Sequence, residues 1–363
     1  MKRIVAFGEV MARLAAPGRL RLRQALPGAL EVTFAGAEAN VAASLSMLGA
    51  EAALASALPA NPIADACVGT LRGLGVDTRP VLRTAEGRLG LYFLESGANQ
   101  RPSHVVYDRE GSAISVTPPE AYDWSSILRG ASWFHVTGIT PSLSRAAADA
   151  SLAAAEAARA HDATVSCDLN FRKKLWRWDP DRTPGALAES IMRRILPHVD
   201  VVIANEGDCA DVLGIRAGAS DVESGHLELD HYPDVARQLV SQFPNVQHVA
   251  ITLRESISAT HNNWGAMLYA AREDHACFAP LVDGAYQPYR ITDIIDRVGG
   301  GDSFAAGLNF ALLTPELNAP QTALNFAVAA SCLAHSIKGD FNFSTRAEVE
   351  ALMGGSASGR VVR

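Results

Sequence analysis

The stretch Asp296-Arg297-Val298-Gly299-Gly300-Gly301-Asp302-Ser303-Phe304-Ala305-Ala306-Gly307 decides how this chain is read. A strand-like stretch, Arg290–Ile295, precedes it, and the apolar pattern after it predicts a helix over about Asp302–Leu312. Three consecutive glycines at a helix start let the backbone approach an anion with its N–H groups turned outward. The helix dipole adds a favourable potential for negative charge. An acid directly after such glycines, here Asp302, suits a proton acceptor beside a phosphate. Judged by residue chemistry alone, the run also fits a glycine turn with Asp302 as helix N-cap. The common nucleotide motifs G-x-x-x-x-G-K-S/T and G-x-G-x-x-G are absent.

Outward from this motif, short β-branched runs alternate with alanine-rich helical stretches. Strands are expected at Ile4–Phe7, Ala52–Ala57, Trp133–Val136, Thr164–Asp168, Val201–Ala204 and Val249–Leu253. Helices fit at Glu38–Leu48, Pro62–Leu74, Ser144–His161, Pro184–Pro197, Asp208–Leu213, Pro233–Gln242 and Gln321–Ser336. This βαβ rhythm predicts an α/β protein with a mostly parallel sheet covered by helices on both faces. Two segments break the rhythm, Val10–Thr33 and Arg88–Ser115, the second with strands at Leu89–Glu95 and His104–Tyr107. They read as a small β-sheet lid beside the main sheet, long surface loops being the other reading. The expected division is a core of residues 1–9, 34–87 and 116–353, a lid of 10–33 and 88–115, and a flexible Gly/Ser-rich tail, 354–363. Leu253–Met267 reads as polar and irregular, and Gly214–Leu229 as an exposed insertion.

Of the 363 residues, 48% are hydrophobic and 20% charged, the balance of a globular protein with a sizeable core. The net charge of −7 argues against a nucleic-acid partner but not against phosphate ligands, which backbone N–H groups bind on an acidic protein. The five cysteines form no C-x-x-C pair, so a disulfide framework or zinc site is not expected and a reducing cytoplasm is. The run Ile4–Phe7 is too short for a signal peptide core, and no stretch nears the roughly 18 apolar residues of a membrane span.

Asp296 through Asp302 resembles the D-x-x-G-A/G-G-D signature of ribokinase-type (PfkB) carbohydrate kinases. Phe34-Ala35-Gly36-Ala37-Glu38-Ala39-Asn40 is similar to that family's sugar-binding G-G-x-x-x-N element, with Ala35 where the first glycine usually stands. Leu74-Gly75-Val76-Asp77-Thr78 fits too, so the resemblance covers nearly the whole chain. It implies a ribokinase-like three-layer αβα sandwich with a β lid, an ATP- and Mg²⁺-dependent reaction, and a homodimer paired through the lid. Within the family, Gly8-Glu9-Val10-Met11, Gly90-Leu91-Tyr92-Phe93, Val106-Tyr107-Asp108-Arg109 and Asp168-Leu169-Asn170-Phe171-Arg172 resemble the branch that acts on 2-keto-3-deoxygluconate.

The resemblance implies Asp302 as catalytic base and Gly299, Gly300 and Gly301 as the phosphate cradle. It implies sugar-acid contacts from Gly36, Asn40, Tyr92, Tyr107 and Arg109. A guanidinium matches a carboxylate through paired donors, which singles out Arg109 and Arg172. ATP contacts are expected from Asn170, Arg172, Asn205, Thr252, Arg254, Gly299, Gly301 and Asn325, with Asp340 closing the site; Ala329, on the helix of Asn325, reads as helix packing. Asn205-Glu206-Gly207-Asp208 resembles the family's N-x-x-E element, with Asp208 in place of the usual Glu. Asn205 and Asp208 are therefore the expected Mg²⁺ partners, acting through water. Read as residues alone, Asn205 and Asp208 also suit a helix start, and Tyr107 and Arg109 an exposed edge strand. Rival readings are a kinase for fructose, a nucleoside or the epimeric keto-deoxygalactonate, and a non-catalytic sensor on the same fold. A dehydrogenase lacks its glycine fingerprint after the first strand.

Overall fold

The structure is a computed structural model, and it describes residues 2–205, 207–216 and 229–355. In chain order its strands are β1 (Arg3–Phe7), β2 (Met11–Ala15), β3 (Glu31–Ala35), β4 (Glu51–Pro59), β5 (Val81–Thr84), β6 (Gly90–Glu95) and β7 (His104–Asp108). There follow β8 (Ala131–Thr137), β9 (Thr164–Asp168), β10 (Val201–Asn205), β11 (His248–Ser258), β12 (His261–Ala270) and β13 (His275–Ala279).

The main sheet runs β13-β12-β11-β10-β9-β8-β1-β4-β5. From β11 to β5 every pairing is parallel, while β12 and β13 are antiparallel. Period-2 alternation sorts side chains between its two faces. On β1, Val5 and Phe7 join one apolar cluster and Ile4 and Ala6 the other; on β10, Val202 and Ala204 part from Val201 and Ile203 in the same way. The first cluster takes up the buried stripes of helices Arg145–Ala160, Pro184–Ile195 and Tyr232–Gln242. The second takes up Ala37–Met47, Gly300–Leu313 and Pro320–Ala334. Small residues at the contact between helices Gly300–Leu313 and Pro320–Ala334 let the two lie close. A Cβ on Gly307 would stand 3.0 Å from the Ala327 Cα and 3.1 Å from the Ala330 Cβ. Side-chain caps start several helices, with Asn61 Oδ1 accepting from the Ala64 N–H and Ser144 Oγ from the Ala147 N–H, both at 3.0 Å.

Four strands, β3-β2-β6-β7, form a separate small sheet. With the helical layers on both faces of the parallel sheet, this is the ribokinase-like sandwich with a lid. Two sequence expectations are corrected. Leu253–Met267 is not irregular: it forms most of the long β11–β12 hairpin, with Leu253, Trp264, Ala266 and Met267 buried. Among the polar residues that hid it, Glu255 and Asn263 face each other across the hairpin, with Asn263 Nδ2 donating to Glu255 Oε2 at 2.6 Å. Second, of Arg290–Ile295 only Arg290 and Ile291 pair, in a short strand Tyr289–Ile291 against β12, and residues 292–298 approach the glycines as irregular chain. The edge strands β5 and β13 were not anticipated. Of the expected insertion, 217–228 lie outside the described residues, as does Glu206, and of the tail, 356–363.

Gly307→Val should cost about 1–3 kcal/mol by overpacking the contact between helices Gly300–Leu313 and Pro320–Ala334. Urea unfolding measures it; a variant as stable as wild type would show that the helices separate freely.

Candidate active site

In open α/β sheets ligands bind beyond the carboxyl ends of the strands. Here a cleft of about 330 Å³ lies where β9, β10 and the glycine loop meet the lid. Gly36, Asn40, Tyr92, Tyr107, Arg109, Asn170, Arg172, Asn205, Asp208, Thr252, Arg254, Gly299, Gly301 and Asp302 all line it.

Two glycines there have no substitute. A Cβ on Gly36 would fall 2.0 Å from the Glu9 carbonyl oxygen, and one on Gly299 would fall 2.3 Å from the Asp340 carbonyl oxygen. Gly299 also needs its φ of 85° to turn the chain into the helix Gly300–Leu313. Gly301 is exposed to the cleft, whereas Gly300 is buried beneath it, where its Cβ would meet the His335 ring. Asp302 stands in the first turn of that helix without capping it.

Asn40 Nδ2 donates to Asp302 Oδ2 at 2.6 Å, and Asn40 Oδ1 accepts from the Gly36 N–H at 3.2 Å. The amide therefore fixes the carboxylate's orientation and is itself fixed by the backbone. Burial raises the pKa of Asp302 to about 6; the Asn40 bond opposes the rise, Asp340 adds to it and Arg172 opposes it. Asp168 is pushed well up by burial and by Asp208 and Asp302, against the pull of Arg172. Several carboxylates thus share the cleft with Arg172, Arg254 and Arg297.

Asp208 Oδ2 accepts from the Asn205 N–H at 3.0 Å and Oδ1 from the Phe171 N–H at 3.2 Å. Asn205 Oδ1 in turn accepts from the N–H groups of Gly207 and Asp208. Oxygens already engaged this way suit a Mg²⁺ held through its own waters and the phosphates of a nucleotide better than an all-protein cage. Among the described residues no group of three or more His, Cys, Asp or Glu could hold a metal directly.

The lid supplies one wall. Its register sets Arg13 opposite Tyr92, and Tyr92 opposite Tyr107. Arg109 is buried on Glu9, whose Oε2 accepts from both Nε and Nη2 at 2.6 Å, and lies 5.6 Å from the Tyr107 ring centroid. Asn325 is not in this cleft. It accepts from Gln321 Nε2 at 3.0 Å and lines a second cavity with Tyr289, Leu352 and Met353. Ala329, read from the sequence as helix packing, is packed in the core. Asp340 does reach the cleft.

Sequence reasoning missed Arg13, Glu9 and Glu38. Arg13 sits at an inward position of the alternating strand β2, and an arginine at a buried position was the available signal. Glu38 is buried with its pKa raised to about 7 by burial; its Oε1 accepts from the Thr137 N–H and from the Thr137 and Thr140 hydroxyls. It thereby ties the helix of Asn40 to the end of β8.

Residues 1–256 match the pfkB family carbohydrate kinases. A 2-dehydro-3-deoxygalactonokinase of Haloferax volcanii is 32% identical over 98% of this chain and 98% of its own. A 2-dehydro-3-deoxygluconokinase of Thermoproteus tenax is 29% identical over 94% of this chain and 90% of its own. The crystal structure of 2-dehydro-3-deoxygluconokinase from Thermotoga maritima superimposes with a TM-score of 0.87 at 42% identity, covering 98% of this chain and all (100%) of that one. With the glycine loop, Asp302 and the lid in one cleft, the chain belongs to the pfkB family of carbohydrate kinases.

Proposed function

We propose that this sugar kinase phosphorylates 2-keto-3-deoxy-D-gluconate at the C6 hydroxyl with ATP, giving the 6-phosphate and ADP. The observation that carries this reading is a lid wall of Tyr92, Tyr107 and Arg109 facing the same cleft as Asp302. A neutral sugar needs no guanidinium there, whereas a sugar acid gains a charge-assisted hydrogen bond from one. Glu9 engages Nε and Nη2 of Arg109, which leaves Nη1 outside that pair for the substrate. The Thermotoga and Thermoproteus kinases named for the gluconate support the choice of sugar, since 2-dehydro and 2-keto denote one group. The Haloferax kinase named for the galactonate makes the epimer the nearest rival.

In this mechanism Asp302 accepts the C6 hydroxyl proton, held in line by Asn40. The glycine loop and the helix start behind it face the transferring phosphoryl group with N–H donors. Mg²⁺, held through water by Asn205 and Asp208, would neutralise charge on the phosphates. Arg172, Thr252 and Arg254 stand on the nucleotide side, and the lid excludes water that would otherwise hydrolyse ATP.

The test is ADP formation with a panel of 2-keto-3-deoxygluconate, its galactonate epimer, fructose, ribose and adenosine. Asp302→Asn should lower turnover of the preferred sugar by about 10²–10⁴-fold. Turnover of fructose or adenosine instead would remove the role given to Arg109. Ligand binding without any turnover would favour a sensor.

A base works deprotonated, and Asp302 is raised to about 6. The rate should therefore climb as pH rises through about 6 and level off above it. An acid limb near the ordinary aspartate value of about 4 would contradict the burial that sets this pKa.

The lid also bears on assembly. On its outer face Val32, Leu14, Phe93 and Val106 lie opposite one another across all four strands, with Val32 60% and Val106 51% exposed. A second copy of the chain, pairing lid to lid, suits this apolar row. Sedimentation should find a dimer that Val32→Lys with Val106→Lys converts to monomer; a monomeric wild type would end the idea.

A further inference from the structure

Arg13 projects from lid strand β2 yet is only 3% exposed. Its Nη1 donates to Asp340 Oδ1 at 2.5 Å, and its Nη2 to Asp296 Oδ2. Tyr92, opposite Arg13 on β6, donates its hydroxyl to the same Asp340 carboxylate at 2.7 Å. Both acids brace the phosphate loop. Asp296 opens it: Oδ1 accepts from the Val298 N–H and Oδ2 from the Gly339 N–H, each at 3.2 Å. The Asp340 backbone presses on Gly299, where a Cβ would come within 2.3 Å of its carbonyl oxygen. The loop is thus clamped between two carboxylates, and the cation joining them grows from the lid.

Two buried carboxylates left without this cation would repel each other across the loop. Gly299, set directly by Asp340, would shift with them. A planar guanidinium reaches two separate carboxylates with two separate N–H groups, whereas an ammonium acts as a point charge.

We propose that Arg13 is a positioning residue for phosphoryl transfer, locking the phosphate loop to the lid so that the loop takes its working shape when the lid is seated over the sugar. The inference rests on the kinase activity of the family and not on which sugar is used. One inner row of the lid, Arg13 to Tyr92 to Tyr107, joins the loop to the wall proposed for the sugar. Transfer to the hydroxyl is then favoured over transfer to water, because the cradle is complete only with the lid in place.

Wild type, Arg13→Lys and Arg13→Met are compared with ATP and the sugar that wild type accepts, each variant first shown to be folded by circular dichroism and melting. In both variants kcat should fall by about 100-fold, with the KM of the sugar within about threefold of wild type. ADP should also exceed phosphorylated sugar, reporting transfer to water. A role confined to stability would lower the melting temperature while keeping ADP and phosphorylated sugar in one-to-one ratio. That ratio in a folded variant, with or without a fall in kcat, overturns the proposal. A second measurement needs no turnover: hydrogen exchange of Met11–Ala15 with and without ATP. Nucleotide at the loop should slow exchange in this strand in wild type and not in Arg13→Met. Equal protection in both would show that Arg13 is not the lock. If wild type turns over no sugar of the panel but shows protection that Arg13→Met loses, the choice of substrate fails and the lock stands.

Discussion

Everything at this site depends on one hydrogen bond, from Asn40 Nδ2 to Asp302 Oδ2, between residues 262 positions apart. It exists because two helices start at the same edge of the parallel sheet. One begins after Gly36, whose missing side chain lets the chain pass against the Glu9 carbonyl. The other begins after Gly299, whose missing side chain lets the loop pass against Asp340. With either glycine enlarged, the new Cβ meets a backbone carbonyl and the two helix starts cannot converge. Asn40 would then lose the carboxylate that it orients.

The same convergence explains the electrostatics. On an acidic protein of net charge −7 the cleft still gathers positive groups, from separate elements: Arg172 after β9, Arg254 on β11 and Arg297 in the glycine loop. The carboxylates they face are raised by burial, among them Asp168, Asp208, Asp302 and Asp340. Burial disfavours the charged form of each of these acids, and clusters of perturbed carboxylates in a cleft are typical of functional sites.

The lid is more than a cover. Its inner face carries Arg13, Tyr92 and Tyr107, and its outer face an apolar row, because a strand alternates its side chains between two faces. One small sheet thus reaches the acids beside the glycine loop, lines the cleft and faces open solvent. Buried ion pairs contribute little net stability, but breaking one strands a charge at a cost of about 3–5 kcal/mol. Arg13 with Asp296 and Asp340, and Arg109 with Glu9, therefore fix geometry more than they strengthen the fold.

Local chemistry made much of this legible in the sequence. Glycines before an acid announced the loop, period-2 and helical spacing announced the layers, and the segments that broke the rhythm announced the lid. The polar hairpin Arg254–Asn263 was not legible, because a strand that leaves the core loses the alternation that identifies it. Asn325 was placed with the nucleotide by resemblance, yet its helix turns it into a second cavity. Pairings across long chain separations were out of reach: Arg13 with Asp296 and Asp340, Glu9 with Arg109, Glu38 with Thr137 and Thr140. The sequence by itself determined which residues have the conformational freedom or charge for the chemistry, since those are properties of single residues and short spacings. Only the tertiary structure decided which charges meet, because strand order and the facing of lid on core are set by packing across the whole chain.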